Sequence, residues 1–113
     1  MKHLITFLFC LMISLSYSQQ IPTEYTGIWA ATDEACATLQ MGVEPEGILM
    51  VHDDDIAMDN WYIEVETIEM ADGILTIKGK GRDSGEPIEK EVTLMMREGH
   101  LIMNEVGFQR CNP

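Results

Sequence analysis

Basic residues are scarce in this chain: seven Lys and Arg stand against nineteen Asp and Glu, a formal net charge of −12. Phosphate backbones and anionic lipid surfaces repel such a chain, which argues against nucleic-acid binding. Cysteine is scarce too, with three residues, of which Cys10 lies in an apolar N-terminal stretch. The other two, Cys36 and Cys111, have neither zinc-site spacing nor that of a redox Cys-x-x-Cys pair. No Ser stands in a nucleophile-elbow setting, and beyond His3 the only histidines are His52 and His100. Glu64, Glu66, Glu69, Glu89 and Glu91 read as the wet side of a sheet rather than as paired acids around a cleft. The chain is therefore read as non-enzymatic, and its residues call for no cofactor. It also lacks internal repeats, low-complexity segments and any long helical stripe. No apolar run reaches the ~20 residues of a membrane span.

What is present begins with export. Lys2 precedes the apolar residues 4–15, and Ser16-Tyr17-Ser18 follows. A basic start, a short apolar core and small residues before a cleavage point make a secretory signal, expected to be cut after Ser18. Residues 19–113 then form a single domain, secreted or periplasmic and not membrane-spanning once the signal is removed. A domain so short buries roughly 60–65% of its unfolded surface, so its core is marginal. Cys36 and Cys111 lie near opposite ends of it. A structural disulfide between them is preferred to free thiols, because the bond would tie the fold end to end in an oxidising compartment.

Apolar residues recur with a period of two between frequent turn residues, which predicts an all-β chain. The expected strands cover residues 25–32, 47–52, 61–70, 73–80 and 87–97. Residues 56–58 pair briefly, and residues 100–111 make one bent strand or two short ones. Residues 33–39 are a short helical turn capped by Asp33. Asp72-Gly73 is a hairpin turn, and Gly79, Gly81 and Gly85 are expected to punctuate the next one. In residues 61–70, Trp61, Ile63 and Val65 share a face while Ile68 and Met70 take the opposite parity, so a bulge is expected near Glu66-Thr67. The expected core is Trp29, Leu49, Val51, Trp61, Ile63, Leu75, Ile77, Val92, Leu94, Leu101 and Phe108. Six to eight hairpin-linked strands close most readily into a small antiparallel meander barrel, because open edges invite aggregation.

Gly27-x-Trp29 on the first strand resembles the first-strand motif of lipocalins, in which the Trp closes one barrel end and packs on a basic residue of the last strand. Arg110 stands where that partner would be. With Cys36 and the Arg110-Cys111 pair, the pattern also resembles small exported bacterial domains and small bacterial β-barrel inhibitors of secreted metalloproteases. The resemblance covers residues 25–36 and 106–111. It implies a lipocalin-like barrel in which Gly27, Trp29 and Arg110 are structural. It also implies binding as the activity, of a protein partner as an inhibitor does or of a small ligand inside the barrel.

Three further groups are candidate sites. The loop around His52 carries Asp53, Asp54, Asp55 and Asp59, a carboxylate density that suits Ca²⁺, although ordinary turn chemistry also favours Asp. Met50 and His52, with Met58 and Trp61 nearby, offer soft ligands for copper, although Met more often fills cores. Lys78, Lys80 and Arg82 line one face if their strand continues, a possible partner patch or a solvated face balancing nearby Glu. The chain is read as a monomeric exported binding domain for an unknown protein or small molecule. The alternatives are a metal-binding envelope protein using the loop of residues 53–59, and a structural envelope component. An apolar cavity inside the barrel would favour a small-ligand carrier, and a filled interior would favour an inhibitor or adaptor.

Overall fold

Period-two patterning and tight turns produce eight strands in the computed structural model, which describes residues 20–111; the expected signal, residues 1–18, lies outside them. The strands are β1 (Gly27–Ala30), β2 (Ile48–Val51), β3 (Asp55–Met58), β4 (Trp61–Ala71), β5 (Ile74–Asp83), β6 (Glu86–Arg97), β7 (His100–Met103) and β8 (Val106–Arg110). Each pairs antiparallel with the next, and β8 returns to β1 through Trp29 opposite Arg110 and Ala30 opposite Gln109. The sheet is thus a closed meander barrel, with no first or last strand left without a neighbour. One helix, α1 (Asp33–Gln40), lies between β1 and β2. Its cap is Thr32, whose hydroxyl accepts from the Ala35 N–H at 3.1 Å, rather than the expected Asp33, which lies in the first turn.

Four hairpins turn on two successive left-handed residues: Asp72-Gly73, Ser84-Gly85, Glu98-Gly99 and Asn104-Glu105. This pairing matches the twist of the flanking strands. Three of the pairs place Gly second. The fourth has no Gly and is held instead by Asn104, whose N–H donates to Thr93 O (3.1 Å) while its Oδ1 accepts from Thr93 N–H (2.9 Å).

The register between β4 and β5 shifts between Val65 and Thr67, leaving Glu66 as the extra residue of a bulge. That shift sets Ile68 and Met70 opposite the inward residues Ile77 and Leu75, as the change of parity predicts. Gly79 and Gly81 differ from expectation, because β5 runs through both and only Ser84-Gly85 turns the chain. Both face inward, where β4 and β5 approach so closely that a Cβ would lie 2.2 Å from Glu64 O at Gly79 and 1.9 Å from Tyr62 O at Gly81. They are bend positions in a tightly curved wall rather than turn residues. The first strand is also shorter than expected, since residues 23–25 form a 3-10 turn ahead of it.

The inward side chains form one apolar cluster. Of the expected core, only Trp61 remains partly exposed, beside the β3–β4 turn. Ile21, Tyr25, Ile56 and Met103 join the buried set. Trp29, Leu49, Ile56, Ile63, Ile77, Val92, Leu94 and Leu101 expose no surface, either to solvent or to an internal void of water size. Around these residues the barrel interior is filled.

A second, smaller core lies outside the wall, where α1 covers Ala30 and Ile48 with Ala35, Cys36 and Leu39. Cys36 on α1 is bonded to Cys111 just beyond β8, with Cα atoms 5.4 Å apart and a separation of 75 in sequence. A loop of that length implies roughly 4 kcal/mol of stabilisation in the chain-entropy account.

Candidate functional site

The motif residues of the first and last strands meet at one end of the barrel. The Trp29 indole is fully buried, and its Nε1–H donates to Tyr25 O at 3.0 Å. The Arg110 guanidinium lies 4.1 Å from the Trp29 ring centre. From there Nη1–H donates to Thr26 O (2.8 Å) and Nη2–H to Glu24 O (3.1 Å), tying the 3-10 turn across the barrel end. Gly27 is required beneath it: its φ is 133°, and a Cβ would lie 2.6 Å from Arg110 Nη1. Trp29 Nε1 and both terminal nitrogens of Arg110 are thus engaged within the chain.

The acidic loop does not assemble. The Asp55 carboxylate faces His52 Nδ1 at 2.6 Å. Asp59 accepts from the Gly47 N–H at 3.1 and 3.2 Å, on the far side of β3. Asp53 contributes its backbone, its carbonyl accepting from Ile21 N–H at 2.8 Å. Among the described residues, no group of three or more His, Cys, Asp or Glu side chains converges as a metal site would require. The candidate metal set Asp53, Asp55 and Asp59 is thus divided among separate local hydrogen bonds. His52 is likewise turned to Asp55.

Lys78, Lys80 and Arg82 do line one face, because β5 continues through the glycines. Their neighbours answer the charge. Lys80 stands opposite Glu64 and Glu89, with its Nζ 3.6 Å from Glu89 and 3.9 Å from Glu66. Lys78 stands opposite Glu91, and Arg82 donates to Gly85 O at 2.9 Å. This surface is a mixed-charge face rather than a cationic stripe.

One apolar concavity was not expected. It is a groove of about 490 Å³ on the outer wall, between α1 with its following loop and the outward face of β2 and β3. Ile48, Met50, Ala57 and Leu39 supply apolar lining, Met58 borders it from a side chain packed against the barrel core, and Glu44, Glu46 and Asp59 are its acidic members. Ile28 and Tyr62, at 38% and 41% exposure, extend the apolar strip in register on either side of Met50 and Ala57. The walls are anchored: the disulfide pins α1, and Asp59 with the bond from Ala31 N–H to Gly47 O pins the loop. One signal for this site was present in the sequence. Ile48-Leu49-Met50-Val51 is apolar at every position, the pattern of a strand covered on both faces. No protein family, curated protein or solved structure matches the chain.

Proposed function

We infer that this protein is an exported, non-catalytic binding domain of lipocalin-like build that recognises a protein partner through its outer wall, as an inhibitor or adaptor does. The filled interior carries this reading, because a carrier needs an internal cavity and these core side chains expose no surface to one. Export is supported by the secretory pattern of residues 1–18 and by the Cys36–Cys111 bond, which persists in oxidising compartments. The lipocalin-like assignment is supported by the Gly27, Trp29 and Arg110 lock at the end of a closed meander.

Site-specific photo-crosslinking in the producing cell tests the reading. Crosslinkers placed singly at outward positions around the wall, such as Met41, Thr76, Met95 and Gln109, should yield a discrete protein adduct from at least one position. Absence of adducts from every position, or a small molecule co-purifying inside the barrel, would overturn it.

A further inference from the structure

The reading above places recognition on the outer wall, and the inference here rests on it: it names the patch and the chemistry of the occupant. The groove joins three properties. Its floor and sides are apolar, and leaving such surface wet is unfavourable by roughly 25 cal/mol per Å². Its outward-facing lining includes Met50, whose unbranched thioether can repack around apolar side chains of differing shape. Met41 and Val43, at 74% and 55% exposure, lie in the chain between the lining residues Leu39 and Glu44.

The rim determines which apolar partner fits. Glu44, Glu46 and Asp59 border the groove, and no basic side chain among the described residues lines it. A partner with Asp or Glu beside its apolar residues would bring like charges together in the field of a chain of net charge −12. Lys or Arg in the same positions would meet carboxylates, and the field of the whole molecule would steer them in. We propose that this groove is the docking site for an apolar segment of a partner protein flanked by Lys or Arg, anchored between α1 and the β2–β3 wall.

The test uses the disulfide-bonded protein labelled with ¹³C at its methionine methyls. Two synthetic nonapeptide pools serve as probes, one mixing Leu, Phe and Met with Lys and Arg, the other mixing the same apolar residues with Asp and Glu. The basic pool should shift the Met50 resonance in a saturable way, leaving Met70 and Met95 unmoved, and the acidic pool should not shift it. Glu44→Lys with Glu46→Lys lies on an exposed loop and should weaken the basic-pool titration at least tenfold while the other methyl resonances keep their positions. The proposal is overturned if the basic pool leaves Met50 unmoved, if both pools act alike, or if the double variant titrates as the parent does. Any of these outcomes, together with crosslinks elsewhere on the wall, would remove the groove and leave the wall-binding function standing.

Discussion

At the residue scale, the barrel end depends on one guanidinium. Arg110 stacks on Trp29 and reaches two carbonyls of the segment that precedes β1. A cation–π contact contributes ~0.5–2 kcal/mol and a net hydrogen bond to a charged donor ~1.5–3 kcal/mol, less where water competes. Arg110→Ala should therefore cost about 2 kcal/mol in urea unfolding. Arg110→Lys should recover little of it, because a single ammonium cannot hold both carbonyls and cover the ring. Full rescue by Lys would show that charge alone matters. Beneath the lock, burial raises the Tyr25 phenol above its ordinary value of 10.0, and the neighbouring Glu24 charge adds to the rise. The folded state thus holds this proton more tightly than the unfolded chain does. That contribution is fully present below the unfolded value and is lost as pH rises from about 10 through the folded value. Stability should fall across that window, and Tyr25→Phe should flatten the fall, as followed by denaturant midpoints at successive pH values.

At the element scale, the long hairpins are shaped by what β4 and β5 omit. Gly81 lets the Tyr62 carbonyl pass where a side chain would sit. Gly81→Ala should destabilise by roughly 2–4 kcal/mol, the range of overpacking and backbone displacement, with a lowered urea midpoint. A neutral result would mean that the two strands separate easily and that the bend is not set by the glycine. The wall next to this bend also has open edges. β7 pairs with β6 only over residues 94–97, so residues 86–92 of β6 have β5 alone as a strand neighbour. Pro87, Glu89 and Glu91 carry the parity of Thr93, whose backbone faces the β7–β8 turn, so they lie along that open side. Proline lacks an N–H to offer a second chain and glutamates repel one, which are known protections of an exposed strand edge.

At the scale of the whole molecule, stability rests on one filled core and one covalent tie. Phe108 is 2% exposed within the core cluster, and Phe108→Ala should cost ~3–5 kcal/mol. Typical domains have 5–15 kcal/mol in total, so the variant is expected at the margin of folding. Reduction of Cys36–Cys111 removes the constraint on a 75-residue separation. The expected loss of roughly 4 kcal/mol corresponds to a melting-temperature drop on the order of 20 °C. A shift of only a few degrees would mean that β1–β8 pairing and α1 packing hold the ends without the bond. Reduction should also loosen α1 and with it one side of the groove, coupling any binding there to the oxidised state.

Alternation of apolar residues, the turn dipeptides, the parity change at Glu66 and the two distant cysteines are local or countable properties, and they were enough to determine an all-β meander, its bulge, its closing bond and most of its core. The Gly27, Trp29 and Arg110 lock was legible only through the resemblance of Gly27-x-Trp29 to a lipocalin first strand, since stacking across the barrel end leaves no local period. Tertiary structure decided the rest. Gly79 and Gly81 read as turn residues until the curvature of the wall showed a backbone passing over them. Asp53, Asp55 and Asp59 are close in sequence, yet the tight β2–β3 and β3–β4 turns point them to different partners, so proximity along the chain did not become convergence. The groove was least legible. Its lining comes from α1, the loop after it, and strands β2 and β3, and it exists because the disulfide holds a helix against the outside of a barrel whose inside is already full.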